Sequence, residues 1–117
     1  MRNFRKLIIW QQGIQLVADV YKLSEELRDW EKYGLKSQTC RAVVSIPSNI
    51  AEGCSRPSEI EYRRFLEIAL GSAFELETQI IIVHKLHLAS TERVGTLRTC
   101  LEIEQKMINA LISRLNQ

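Results

Sequence analysis

The sequence predicts an all-α protein, an antiparallel up-down four-helix bundle in a single domain over residues 1–117. Three observations predict it. Apolar residues recur in steps of three and four along four successive segments. The links between those segments are short and carry residues that stop or cap helices. No segment alternates apolar and polar residues as a half-buried strand does. The composition, 45% hydrophobic and 26% charged, is globular rather than disordered. With two prolines and five glycines in the chain, long regular elements are expected.

The first helix is expected from about residue 9 to residue 28, with Trp10, Ile14, Val17, Val20, Tyr21 and Leu27 as its apolar stripe. Gly13 interrupts it. A helical glycine costs about 1 kcal/mol relative to alanine, so close approach of another helix is a reason to keep one there. Asp29 to Gly34 reads as a connection. Trp30 and Tyr33 are expected as a lid over the bundle end, with base stacking as the alternative.

The second helix is expected at about 35–54. Leu35, Thr39, Ala42, Val43, Ile46, Asn49, Ile50 and Gly53 keep the helical step, and their small size makes this the central helix. Pro47 lies inside it, where proline costs about 3 kcal/mol and removes a hydrogen bond. The stretch Ser45 to Gly53 is therefore where local rules conflict. The helix is expected to continue through Pro47. Ser48 or Asn49 would then serve backbone groups or neighbouring helices, and Glu52 would anchor the helix end. Gly53 and Ser55-Arg56-Pro57 terminate it.

Ser58 and Glu61 form a capping box that opens the third helix, at about 58–88. Tyr62, Phe65, Ala69, Ala73, Leu76, Ile80, Val83 and His87 form its stripe. The fourth helix, at about 91–116, is capped by Ser90 or Thr91. Val94, Leu97, Leu101, Ile108, Leu111 and Leu115 line it, widened by Ile103, Met107 and Ile112. Leu16, Leu70, Phe74, Ile81 and Ile82 fall off these stripes. They read either as a wide core face or as a subunit interface.

The chain lacks the apparatus of most enzymes. It has no glycine-rich phosphate loop. The Glu-x-x-His pair of di-iron bundles is absent, since Ile81 precedes His84 at that spacing and His84 precedes His87. Those two histidines are half a metal site at most and read as surface or interface residues. Ser48 and Ser72 have no placeable base. Glu52 and Glu77 fall on or near inward faces, where a carboxylate is expected to be tied to Arg41, Asn49 or Gln79 rather than to act as acid or base. No cofactor and no metal are expected. Cys40, Cys54 and Cys100 are odd in number and without a Cys-x-x-Cys pair, which favours reduced thiols in a cytoplasmic protein. No stretch approaches the ~20 apolar residues that span a membrane.

The net charge is only +2. Basic residues nevertheless cluster locally. Arg2, Arg5 and Lys6 form a short arm, and Arg56, Arg63 and Arg64 surround the start of the third helix. These six are the candidates for neutralising phosphates, with a solvated polar face as the alternative.

Ser45-Ile46-Pro47-Ser48-Asn49-Ile50-Ala51-Glu52-Gly53 resembles a signature of the bacterial 23S ribosomal RNA intervening-sequence protein family. Arg64 to Gln79 resembles that family's third-helix block. Trp10-Gln11, Val20-Tyr21 and Tyr33-Gly34-Leu35-x-x-Gln38 are similar to its weaker landmarks, so the likeness runs along nearly the whole chain. Pro47, Ser48, Asn49, Glu52, Gly53 and Glu77 are the motif residues it marks, and they transfer a fold better than a site. The resemblance implies a non-enzymatic four-helix bundle. The family is similar to the accessory protein of diversity-generating retroelements, a ring of five bundles that binds a reverse transcriptase and carries a basic surface. By resemblance, then, the expected protein is a ring-shaped homopentamer and a nucleic-acid (RNA or DNA) binding accessory protein. The alternative is a protein–protein scaffold for a reverse transcriptase or other partner enzyme. Tyr62 stands where the family pattern suggests Phe, and the low net charge departs from a basic surface.

Overall fold

The computed structural model describes residues 2–28 and 34–116. The expected lid residues Trp30 and Tyr33 lie outside the described residues. A 3-10 turn at Phe4–Lys6 precedes four helices: α1 Ile8–Ser24, α2 Leu35–Cys54, α3 Glu59–Lys85 and α4 Thr91–Leu115. Among the described residues there is no strand. Each helix packs on its neighbour in sequence and α4 closes back on α1. Side chains tie the ends together. Arg63 at the start of α3 reaches Asn116 just after α4 (2.6 Å). Glu26, after α1, accepts from the Ser90 amide (2.9 Å) and pairs with Arg93 (2.7 Å) at the start of α4. Successive helices thus run in opposite directions around one core.

Caps explain where the helices begin. The Ser58 side chain accepts from the Glu61 amide (3.1 Å) and donates to the Glu61 carboxylate (3.1 Å), closing the capping box. Ser90 accepts from the Arg93 amide (3.2 Å). α3 stops short of its expected end. His87 takes a left-handed conformation (φ 55°), and the Leu88 amide donates to the Val83 carbonyl (3.0 Å). That is a Schellman closure with histidine at the position glycine usually fills. His87 therefore leaves the α3 stripe and is exposed. α1 ends at Ser24 rather than at residue 28. The Ser24 hydroxyl donates to the Tyr21 carbonyl (2.7 Å), and the following amides of Glu25, Glu26 and Leu27 tighten to i−3 carbonyls.

The core stripe of α1 differs from the expected one. Ile14 is 46% and Tyr21 48% exposed, while Leu16, expected off the stripe, is 2% exposed. Ile9, Gly13, Leu16, Val20 and Leu23 face inward. The helix carries two apolar lines about one residue apart in rotation, and a single helix cannot say which line its partners cover. Trp10 and Val17 lie on the border and pack against the core rim. On α4 the expected line is the buried one, with Val94, Leu97, Leu101, Ile108 and Ile112 facing inward. Glu104 joins it between Leu101 and Ile108, and Ile103, expected to widen it, is 51% exposed. On α3, Leu66 is buried beside half-buried Phe65. Phe74, Ile81 and Ile82 lie on the exposed side with Ile60 and Ile68.

α2 runs unbroken through Pro47, which is buried. Its neighbour on α1 is Gly13. A methyl group there would stand 3.2 Å from Pro47 Cβ and 3.4 Å from Pro47 Cδ. The missing side chain on α1 thus accommodates the proline ring on α2. Asn49, half-buried, donates from Nδ2 to the Ser45 carbonyl and to Ser45 Oγ (both 2.8 Å). Ser45 Oγ in turn bonds Ser72 Oγ on α3 (2.8 Å). Ser48 is exposed, so of the expected pair it is Asn49 that serves a backbone group, while Ser45 makes the contact to α3.

Glu52 and Glu77 depart from the inward placement expected of them. Glu52 is exposed and pairs with Arg56 one turn on (3.0 Å). Glu77 is half-exposed, accepts from Gln105 Nε2 (2.9 Å) and lies 3.9 Å from Arg98. Each stands beside a buried residue, Gly53 and Leu76 respectively, and the step of one residue around the helix carries the long side chain to water.

Candidate nucleic-acid interface

The alternating helix directions gather four chain ends at one pole: the starts of α1 and α3 and the ends of α2 and α4. The helix dipoles there alternate in sign, so the pole's field is that of its side chains. The two candidate clusters, separate in sequence, meet at this pole. The Asn3 side chain caps the 3-10 turn through the Arg5 amide (3.2 Å). The Arg2 amide donates to the Cys54 carbonyl (3.4 Å), and Arg2 Nη1 donates to the Arg56 carbonyl (3.2 Å). The N-terminal arm is thereby fastened over the end of α2.

The six candidates divide by what holds them. Arg2 lies 4.0 Å above the Tyr62 ring, Arg5 stacks 4.5 Å from Phe4, and Arg56 lies 4.8 Å from the Phe65 ring. Cation–π contacts position a guanidinium without neutralising it. Arg63 donates to the neutral amide oxygen of Asn116. Among the described residues, Arg56 alone of the six has a carboxylate partner, Glu52. Lys6 and Arg64 are exposed and in no ion pair among the described residues. Arg114, at the last turn of α4, joins them. It lines a shallow groove between α1 and α4 with Lys6, Ile8, Ile9, Met107, Ala110 and Leu111. The sequence reading passed over Arg114 because it is isolated in the chain. The up-down topology is the signal that brings it to this pole.

Beneath the arm, Tyr62 and Cys54 are both buried and close enough to influence each other's protonation. Burial pushes the Tyr62 phenol up to about 12, with the Cys54 thiol adding to it. Burial likewise raises the Cys54 thiol, against the lowering effects of Tyr62 and Arg2. Both groups stay protonated near neutrality, so they serve as packing under Arg2 rather than as nucleophiles. The three cysteines are free thiols, Cys54 buried and Cys40 and Cys100 half-buried. His84 and His87 are both exposed. Among the described residues no group of three or more His, Cys, Asp or Glu is arranged to hold a metal ion. No described helix is long and apolar enough to cross a membrane.

The exposed α3 face offers a second surface. Ile60, Ile68, Phe74, Ile81 and Ile82 leave apolar area in water, interspersed with Glu67 and Glu75. On the α1–α2 side, exposed Ile14, Tyr21 and Val44 accompany Lys36 and Arg41, and part of this face forms an open groove.

Comparison with known proteins bears on the whole chain. The family model described as 23S rRNA-intervening sequence protein matches residues 5–110. A crystal structure of a protein with unknown function from the S23 ribosomal protein family, from Bacteroides thetaiotaomicron VPI-5482, is similar in fold. Its TM-score is 0.83 at 19% sequence identity, covering 90% of this chain and 98% of that one. No curated protein matches the sequence.

Proposed function

The chain belongs to the 23S rRNA-intervening sequence protein family, and on that premise we propose that it is a non-enzymatic accessory protein that binds structured RNA or DNA through its basic pole. The observation that carries this reading is the convergence of Arg2, Arg5, Lys6, Arg63 and Arg64 from separate segments onto one end, with no carboxylate paired to any of them among the described residues. Glu61 at the same end is engaged in the α3 cap, which leaves exposed Glu59 and the paired Glu52 as the opposing charges. Phosphates would meet the exposed cations Arg5, Lys6, Arg64 and Arg114, while Arg2 holds the arm in place. The setting would be the cytoplasm, where the free thiols persist.

The second reading is a protein–protein scaffold for a reverse transcriptase or other partner enzyme. The apolar, acid-flanked face of α3 favours it. The same face supports assembly into the ring-shaped homopentamer that the family resemblance implies. It is complementary in charge to the apolar, basic α1–α2 face, and two different complementary faces would give a head-to-tail contact, the kind that forms a ring when its rotation closes. Sedimentation showing a stable monomer at micromolar concentration would remove the ring.

The test is filter binding to hairpins from rRNA inserts at two salt concentrations. Four phosphate contacts give a slope of about −2.8 to −3.6 in log K against log salt, or a fall of about 50- to 150-fold between 50 and 200 mM. Arg64→Ala and Lys6→Ala should each weaken binding and reduce that slope by about 1. Arg2→Ala should instead lower stability. Absence of binding at low salt overturns the reading and leaves the scaffold.

A further inference from the structure

Glu104 occupies an inward position of α4 and is 0% exposed. Among the described residues, neither of its carboxylate oxygens has a hydrogen-bond partner. A buried polar group without a partner costs free energy, and a buried unpaired charge costs far more. The walls around it supply no donor. On α1, Glu104 Oε2 comes within 3.4 Å of where a Gly13 methyl would stand, so the glycine that accommodates Pro47 also makes room for the carboxyl. On α2 the neighbour of that gap is Pro47, which has no amide hydrogen.

We propose that Glu104 is a protonation switch in the α1–α4 seam: the closed bundle holds it as the neutral acid, and loss of its proton to solvent at alkaline pH drives the seam open. Burial raises its pKa from the ordinary carboxylate range to about 8, and no charge contributes to that shift. The inward residues facing this level of the core agree. They are Ile9, Leu16 and Val20 on α1, Val43, Ile46 and Ile50 on α2, and Ala69, Ala73 and Leu76 on α3. None of these is titratable. The titratable groups around them are engaged elsewhere or exposed. Asp19 on α1 accepts from Gln15. Arg41 on α2 is exposed. Glu77 on α3 meets Gln105 and Arg98, and Glu102 and Lys106 on α4 pair with each other. Further along the same seam, the α1–α4 groove lined by Ile9 and Met107 carries Lys6 and Arg114 as its cations. Opening the seam would therefore disturb two cations of the basic pole.

The sign follows from linkage. The acid's contribution is fully present below its unfolded value near 4.5 and is lost as pH rises to about 8. Over that interval the unfolding constant should rise about tenfold per pH unit from this group alone. The experiment is urea unfolding between pH 5 and 9 at one fixed protein concentration, comparing wild type, Glu104→Gln and Glu104→Leu. The difference between wild type and either variant should grow across pH 5–8 and then level. Parallel curves would overturn the proposal. A second measurement needs no variant. With 13C-carboxyl glutamate in the wild-type protein, one resonance should titrate near pH 8. If every glutamate titrates below pH 6, the switch is excluded.

Discussion

Adding one methyl group at Gly53 tests the closest approach in the bundle. Gly53 is helical with negative φ, so alanine is allowed by the backbone and improves helix propensity by about 1 kcal/mol. Against this, the added Cβ would lie 2.8 Å from Phe65 Cβ, 3.2 Å from Tyr62 Cδ1 and 3.3 Å from the Tyr62 carbonyl oxygen. Two Cβ atoms cannot be relieved by a rotamer change. The α2 and α3 backbones must move apart, at the level where Phe65 carries the Arg56 guanidinium and Tyr62 carries Arg2. Overpacking of this kind costs about 1–3 kcal/mol, so after the propensity gain Gly53→Ala should be net destabilising by up to about 2 kcal/mol. Gly95→Ala is the control, because nothing lies within 4 Å of the added atom there. It should be neutral to stabilising by up to about 1 kcal/mol. Urea denaturation followed by helical circular dichroism, with the m-value held common, measures both. If Gly53→Ala proves as stable as Gly95→Ala, the close contact of α2 with α3 is not a constraint and the reasoning fails.

Two further predictions concern polar groups. Asn49→Leu removes both Asn49–Ser45 bonds within α2 and leaves Ser45 Oγ with Ser72 Oγ alone. The expected loss is about 1–2 kcal/mol in the same denaturation assay, and unchanged stability would count against a stabilising role for Asn49 in the motif. Maleimide labelling read by mass spectrometry should modify half-buried Cys40 and Cys100 in the native protein. Cys54, buried with its thiol pKa raised, should react only on unfolding, and native labelling at the rate of Cys40 would contradict that.

Helix number and order were legible because the caps and the three-and-four steps agree in each segment, as at Ser58 and Glu61. Rotation of the helices was less so. α1 carries Trp10, Ile14, Val17 and Tyr21 on one line and Ile9, Leu16, Val20 and Leu23 on the next. Which line is buried depends on α2 and α4, not on α1. Glu104 escaped notice for a related reason. It sits in step between Leu101 and Ile108, but a charged residue within a stripe reads as solvated until the neighbouring helices are placed. Glu52 failed in the opposite direction. It follows the inward line of α2 closely in sequence, and its pairing with Arg56 on the outside is a matter of side-chain reach. The basic pole was half legible. Two clusters were visible in the chain, and only the alternation of helix directions unites them and adds Arg114.

The segment Ser45 to Gly53 takes its meaning from the two helices that flank it. Pro47 meets α1 where Gly13 lacks a side chain. Ser45, held by Asn49, reaches Ser72 on α3, and Gly53 admits Phe65 and Tyr62 of α3. A run of small and polar residues thus sets how near both neighbours stand to α2, at successive heights along one helix. The stability cost of a helical proline is tolerated because the α1 contact is built around its ring. Those distances also position the pole, since Tyr62 and Phe65 carry Arg2 and Arg56. On the proposed function, the motif would bear on nucleic-acid binding through geometry. If the proposed binding holds, a change at Gly53 that displaces Arg2 and its arm should lower both the affinity and the salt slope, the slope by up to about 2 as Arg5 and Lys6 lose their phosphates, while Arg64→Ala added to that change should still lower it by about 1.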